Sequence, residues 1–476
     1  MQPSGKRTVV ISWRWEHLLG WGVTIGLCLI PVVIWSWSHP LHTITTTSSV
    51  LLNIGRVAGL VGTVMYALNL VYATRLRFLE RFFGGLNRVY IAHHLLGGLA
   101  LIMLSIHPLT LALRYLNHQE VLRGVLGSFK QAALMLVPNG LFPLDALFNV
   151  SHAYHELVLQ QWAIFFGIIA FWGMVALLLV TFFVTIPYRL WLFTHKFLGV
   201  AFIISALHIL FISSDTSKDP LMKGFMLTMV AIGVAAFLYK TVFGNIIIRR
   251  YTYTVRDVKT VAGNVVQIMM DPIKQTMSYK PGQFVFIRFR GQDHEVSREW
   301  HPFSISSSPT DDGLQLSIKG LGDYTNKLGG LKPGALADIE GAYGRFSYTN
   351  YKNTDQIWIG GGIGITPFLS MMKDLPDDGC HVDLYYAVKT ESELIDWPLL
   401  YGTAMKKPKT LRIIPFVGDK QPKHLDIEFI EKTSGSLKGK DFYICGPPPM
   451  MKGLRTQLKA KGIPGTSIHS EEFAMS

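Results

Sequence analysis

The sequence predicts a multi-domain membrane protein: a six-helix transmembrane bundle, then an antiparallel β-barrel, then an α/β domain on a parallel sheet. Three observations carry this. Of 476 residues, 49% are hydrophobic and only 16% charged, and the apolar residues concentrate in the first half. Six segments there are long and apolar enough to cross a bilayer. From about residue 251 onward the pattern turns to short alternating runs between polar turns, as strands require. The chain is too long for one ordinary domain. The boundaries expected are 1–248, 249–350 and 351–476.

The spans are expected at 17–38, 48–73, 88–115, 158–187, 191–213 and 222–248. The first is too long and too late to be a signal peptide, and no small-residue cleavage site follows it. Basic residues set the orientation. They gather as Lys6, Arg7 and Arg14; as Arg75, Arg77, Arg81 and Arg88; as Arg189 and Lys196; and as Arg249 and Arg250. All four clusters fall on one side of an even-numbered bundle, which makes that side cytoplasmic. Both termini then face inward in an integral protein of the plasma membrane. The net charge of +13 is read as this topology signal, not as nucleic-acid binding. Cys28, Cys380 and Cys445 lie far apart and give no disulfide framework or metal-ligand spacing. The longest connection, 116–157, contains Pro138, Gly140 and Pro143 and is expected to fold as an outer cap.

Four histidines stand in two of these spans. His93 and His107 are fourteen residues apart, and His195 and His208 thirteen. Each pair opens alike, His-His-Leu-Leu-Gly at 93–97 and His-Lys-Phe-Leu-Gly at 195–199. Ionisable side chains in a span are expensive and mark function. The helical rise puts the members of a pair roughly 20 Å apart, which fits two redox centres stacked in a core about 30 Å thick. Imidazole is a common axial ligand of haem iron. Two helices would clamp two b-type haems, the inner between His93 and His195, the outer between His107 and His208. His94 competes with His93, and the shared His-x-x-Leu-Gly pattern favours His93. Helical phase opposes the simple picture. Fourteen residues return to within about 40° of one face, but thirteen fall about 140° away. The second helix therefore needs a bulge, a bend or a different approach. Arg56, in Gly55-Arg56-Val57-Ala58-Gly59, needs a partner in the outer part of span two: a haem propionate or an acceptor.

The second half begins with strands at 251–255, 265–269 and 284–289, with the turn Lys280-Pro281-Gly282-Gln283 before the third. Within the barrel, Glu299-Trp300-His301-Pro302-Phe303-Ser304 and Ser317-Ile318-Lys319-Gly320-Leu321-Gly322-Asp323-Tyr324-Thr325 join aromatic, hydroxyl and basic side chains. Flavin needs an aromatic face, a donor at its N5 edge, and amides with a cation for the pyrophosphate. Phe303, Ser304, Lys319 and the turn from Gly320 through Gly322 to Thr325 supply these types. Further on, a buried strand at 356–359 runs into Gly360-Gly361-Gly362-Ile363-Gly364-Ile365-Thr366-Pro367 and then a helix. Glycines let a backbone approach a pyrophosphate at a helix start. A later strand ends in Cys445-Gly446-Pro447, at the sheet edge where such folds bind ligand. No acidic residue ends strand 382–386, and Lys389 beyond it would meet a 2′-phosphate. NADPH is therefore expected, with NADH possible.

In these residues the chain resembles the NADPH oxidase and ferric reductase superfamily, whose dehydrogenase half is like ferredoxin–NADP reductase. The resemblance covers nearly the whole chain. It implies FAD at His301, Pro302, Phe303, Ser304, Lys319 and Thr325. It implies nicotinamide dinucleotide at Gly361, Gly362, Gly364, Thr366, Pro367, Cys445 and Gly446. It also implies a terminal aromatic over the flavin, and Glu471-Glu472-Phe473 resembles that ending. One departure bears on the acceptor: Leu111 stands where animal oxidases of this kind carry a further histidine. No calcium-binding or adaptor-binding module precedes the first span, so constitutive activity is expected.

The function expected is electron transfer from cytosolic NADPH through FAD and two bis-histidine haems to an outer acceptor. Oxygen giving superoxide is the first acceptor, ferric chelate the second. Two rivals differ in class. A haem-bearing membrane subunit exchanging electrons with quinone or a partner protein would not need the complete nucleotide-binding half. A transporter with a regulatory flavin domain would show no haem absorbance.

Overall fold

The computed structural model describes residues 16–40, 44–116, 152–262, 264–290, 296 and 299–471. Phe473, the clustered Lys6, Arg7 and Arg14, and positions 117–151 of the expected cap lie outside the described residues. Two compact units separate. One comprises Trp15–Gly84 and Arg88–Ile247; the other is built on Ile248–Ser476 with Gly85–Asn87.

The first unit is helical: α1 Glu16–Ser38, α2 Thr47–Tyr72, α3 Arg77–Phe83, α4 Leu86–Leu116, α5 His152–Phe183, α6 Tyr188–Phe211 and α7 Pro220–Phe237. All but α3 are long and apolar enough to cross a membrane. The starts are fixed by local chemistry. The Thr46 side chain accepts the Ser49 N–H at 3.1 Å, and Asp219 accepts that of Met222 at 2.9 Å with Pro220 following it. Helix α3 occupies what the sequence presents as a basic loop; its left-handed Gly84 (φ 82°) closes it. The sixth span is shorter as an α-helix than expected, because a π-helical turn, Leu238–Val242, takes over after Phe237.

The second unit holds two sheets. The first contains β1 Tyr251–Val261, β2 Val265–Pro272, β3 Phe284–Arg290, β4 His301–Ser304, β5 Leu314–Lys319 and β6 Leu336–Tyr343. Its order is β4-β3-β6-β1-β2-β5 with antiparallel neighbours. The expected barrel is corrected here: the sheet is unclosed. Strand β4 is only four residues long and contains Pro302 with no N–H to donate, and only the isolated bridge from Ile305, just beyond it, to Leu316 joins this edge to β5 among the described residues.

The second sheet is parallel, ordered β11-β10-β7-β8-β9, from β7 Asp355–Gly361, β8 His381–Val388, β9 Leu411–Val417, β10 Asp441–Cys445 and β11 Ile468–Glu471. Helices α8 Thr366–Asp374, α9 Trp397–Lys406, α10 Ile427–Ser434 and α11 Pro448–Ala460 connect its strands. Because β7 is followed by β8 on one side and flanked by β10 on the other, strand order reverses between β7 and β10. Ligand crevices form at such a switch, beyond the carboxyl ends of the strands. Trp358, Phe368, Tyr386 and Tyr443 are fully buried around it. The two sheets are tied where Ser370 Oγ donates to the Ser307 carbonyl at 2.5 Å and Gln267 bonds Asp396.

Candidate functional site

The helical unit brings the four histidines together in the expected pairs. The His93 and His195 ring centres lie 6.2 Å apart and those of His107 and His208 6.3 Å apart, at interplanar angles of 69° and 68°. Two metal–imidazole bonds of about 2 Å, plus about 1.1 Å from each bonding nitrogen to its ring centre, span about 6 Å. The pairs thus stand at the separation of two imidazoles sharing one metal ion. His94 is exposed, its ring 5.6 Å from that of His93.

Three rings are oriented by backbone carbonyls. His93 Nδ1 lies 3.1 Å from the Asn69 oxygen, His107 Nδ1 2.8 Å from that of Gly55, and His208 Nδ1 2.7 Å from that of Ala163. A carbonyl only accepts, so each Nδ1 carries the proton and each Nε2 keeps its lone pair free for a metal. His195 differs: its Nδ1 has no hydrogen-bond partner, and its ring stacks on Trp191 with centres 5.0 Å apart at 12°. This resolves the thirteen-residue phase. Helix α6 is an unbroken α-helix, so no bulge turns the rings into line. His208 turns to a carbonyl of α5, while His195 stands against Trp191 one turn earlier on its own helix. Arg56 is half-buried on α2, next to the Gly55 whose carbonyl holds His107.

In the antiparallel sheet, the His301, Phe303 and Tyr324 rings stack. His301 and Tyr324 are 3.7 Å apart between centres, and Phe303 and Tyr324 6.4 Å at 12°. Burial of its ring holds His301 below its ordinary pKa, against the pull of Glu299 at 3.5 Å. Burial likewise pushes the Tyr324 phenol up. The Ser304 and Tyr324 hydroxyls are buried without hydrogen-bond partners. Such orphans call for a ligand, and a flavin edge accepts what they offer. Trp300 is held under two guanidinium groups, those of Arg250 and Arg288, at 5.0 and 4.9 Å. Lys319 is half-buried at the end of β5. Beyond it, Thr325 Oγ1 accepts the Leu321 and Gly322 amides at 2.9 and 3.1 Å, closing the turn. Gly320 is pinned to Asn264 at 2.9 Å, and a Cβ there would stand 2.5 Å from Asn326 Oδ1.

At the switch point the glycines form a cradle. A Cβ on Gly364 would lie 2.3 Å from the Cys445 oxygen, and one on Gly361 2.6 Å from Met450 Cε. Gly446 in turn touches the Gly361 backbone, and Gly360 packs under Ile365 and Phe368. Gly362, at φ 52°, faces open space. Thr366 and Pro367 are buried at the start of α8, the Thr366 hydroxyl bonded to the Ile363 carbonyl at 2.7 Å. Pro447 precedes α11. Cys445 ends β10, fully buried, in register with Gly360 on one side and Glu471 on the other. Burial, with Glu471 adding to it, pushes its thiol well above the ordinary value. Iodoacetamide should therefore spare Cys445 in the folded protein and label it once unfolded, as mass spectrometry of the peptides would show. Lys389 is exposed beyond β8, and its amide donates to Glu393 Oε2 at 3.2 Å.

Tyr324, Trp191 and Glu471 take places at these sites that sequence reasoning did not assign. Trp191 was readable, since it precedes His195 by four helical residues. Glu471 reaches Cys445 only through the pairing of two strands distant in sequence.

Comparison with known proteins defines the class. Residues 58–206 match the ferric reductase like transmembrane component, 250–332 an FAD-binding domain and 358–456 an oxidoreductase NAD-binding domain. The chain therefore joins a ferric-reductase-like transmembrane component to the FAD-binding and NAD-binding domains of an oxidoreductase. With these domains it is homologous to respiratory burst oxidase proteins, of whose length it matches less than a quarter. It is 34% identical over 170 residues to probable respiratory burst oxidase homolog protein I of Arabidopsis thaliana, covering 31% of this chain and 18% of that one. It is 29% identical over 214 residues to the anthranilate 1,2-dioxygenase electron transfer component of Acinetobacter baylyi, covering 43% and 60%. Among solved structures, the Amycolatopsis cytochrome P450 reductase GcoB aligns at a TM-score of 0.41 and 22% identity, over 48% of this chain and 70% of that one.

Proposed function

We propose that the chain moves electrons from cytosolic NADPH, through FAD and two bis-histidine b-type haems, to an acceptor on the outer face. Oxygen, giving superoxide, is the acceptor in this reading. The observation that carries it is the two histidine pairs, each at the spacing of a shared iron. Bound FAD would supply the conversion of hydride to one-electron chemistry, and haem held by two histidines would supply one-electron acceptance.

The remaining roles fall to side chains. His93 and His195 would hold the inner haem, His107 and His208 the outer, with both termini cytoplasmic as the basic clusters dictate. His301, Pro302, Phe303, Ser304, Lys319 and Thr325 would hold FAD, the Ser304 hydroxyl facing the flavin edge. The glycine cradle from Gly360 to Gly364 would seat the dinucleotide pyrophosphate, while Thr366, Pro367, Cys445, Gly446 and Pro447 would shape the nicotinamide pocket. Phe473 would cover the flavin, and Arg56 would neutralise a propionate or draw in the acceptor. Three parts, 1–248, 249–350 and 351–476, would divide this work. Held by two histidines each, the haems would supply outer-sphere electron transfer to the acceptor.

Ferric chelate is the second reading. Leu111 packs against Gly55 beside the outer pair and brings no polar group there. Purified protein given NADPH and FAD separates the two: superoxide yield in air against anaerobic reduction of ferric chelate. Absence of a low-spin haem spectrum would sink both. Lys389→Glu should lower kcat/KM for NADPH at least about tenfold and leave NADH near its starting value. Equal losses with both nucleotides would remove Lys389 from the 2′-phosphate contact.

A further inference from the structure

Both histidines of the outer pair contact the neighbouring helix in the same way. His107 Nδ1 bonds the carbonyl of Gly55 at 2.8 Å, and His208 Nδ1 that of Ala163 at 2.7 Å. Four residues after each acceptor stands a glycine, Gly59 on α2 and Gly167 on α5. In an α-helix that position lies one turn on, and its Cβ leans back over the acceptor carbonyl. A Cβ on Gly59 would stand 2.8 Å from His107 Nδ1, and one on Gly167 2.7 Å from His208 Nδ1. A carbonyl already engaged within its helix is thus left open to a second donor from outside. The inner pair lacks this arrangement. The Asn69 carbonyl sits at the end of α2, followed four residues on by the cap Ala73, and His195 Nδ1 has no partner.

We infer that Gly59 and Gly167 are positioning residues for the outer haem: each uncovers one helix carbonyl, which fixes the tautomer and tilt of a histidine ligand. The inference rests on the bis-histidine haem reading above. An alanine at either glycine displaces the imidazole and breaks its Nδ1–H bond, while the packing of the helices has other contacts to rely on.

The test uses the full-length membrane protein carrying Gly59→Ala or Gly167→Ala, with Gly62→Ala as the matched control. A Cβ at Gly62 would crowd Leu104 at 2.8 Å, on the same helix but against no ligand. Haem content per chain, low-spin electron paramagnetic resonance and redox titration are read, and the component missing in His107→Ala is taken as the outer haem. Loss of such an outer-shell bond costs about 10–100-fold in affinity. The outer haem should therefore be depleted or shifted in g-values and midpoint potential in both variants, with the inner haem unchanged and the control intact. An unaltered outer signal in either variant, or an equal change in Gly62→Ala, overturns the inference. A wild-type protein without low-spin haem overturns the parent reading as well, and shows this before any variant is made.

Discussion

Replacing His107 with alanine is expected to remove the outer haem and cut NADPH-driven reduction of an external acceptor by more than about 100-fold, since loss of an outer-shell partner alone costs about 10–100-fold. The physical reason is geometric. His107 and His208 face each other at 6.3 Å between ring centres, and no other described histidine faces His208. With one imidazole gone, the iron proposed for this pair would be half-ligated in a low-dielectric core. NADPH should still reduce the flavin and the inner haem at their former rates, so the block appears as electrons accumulating before the outer site. Stopped-flow spectra at the flavin and haem bands separate the steps. Normal external reduction with His107→Ala would remove this residue from the path, and His208→Ala should reproduce the defect.

The second large effect is expected at Gly364. Its absent Cβ would lie 2.3 Å from the Cys445 oxygen and 2.7 Å from the Gly446 Cα. Both are backbone atoms, so no side-chain rotation makes room. Gly364→Ala must part the loop after β7 from the turn after β10, and overpacking of this kind costs about 1–3 kcal/mol. The loops that part are those flanking the crevice, so flavin reduction by NADPH should fall about 100-fold, in line with a 1 Å misplacement. FAD content and haem spectra should stay normal, and dithionite should still reduce both centres. Unchanged hydride transfer in a folded variant would show that the two loops do not seat the nicotinamide.

The sequence carried most of the architecture because its strongest signals are local. A span is a length requirement on one apolar run, and the helices Thr47–Tyr72 and Tyr188–Phe211 begin and end near the expected positions. The glycine loop between β7 and α8 was likewise a local pattern. The pairing of His93 with His195 and of His107 with His208 followed from matched spacing and loop charge together. What stayed hidden depends on which faces of separate elements meet. The open sheet could not be told from a barrel, because closure turns on whether a four-residue strand with Pro302 finds a partner. The unequal seating of His195 and His208 depends on helix rotation, to which spacing alone is blind. The Ser304 and Tyr324 hydroxyls emerged as orphans only once their surroundings were built.

Cys445 has a consequence for endurance. A catalyst that passes single electrons in air makes oxidants beside its own groups, and exposed thiolates are the first side chains to be lost to them. This sulfur lies within the sheet, fully buried and held as a neutral thiol between Gly360 and Glu471. The nucleotide proposed for this crevice would be its neighbour there, in place of solvent. The working lifetime of the enzyme should then be set by the more accessible Cys380 and by its methionines, with the sulfur nearest the chemistry outlasting them.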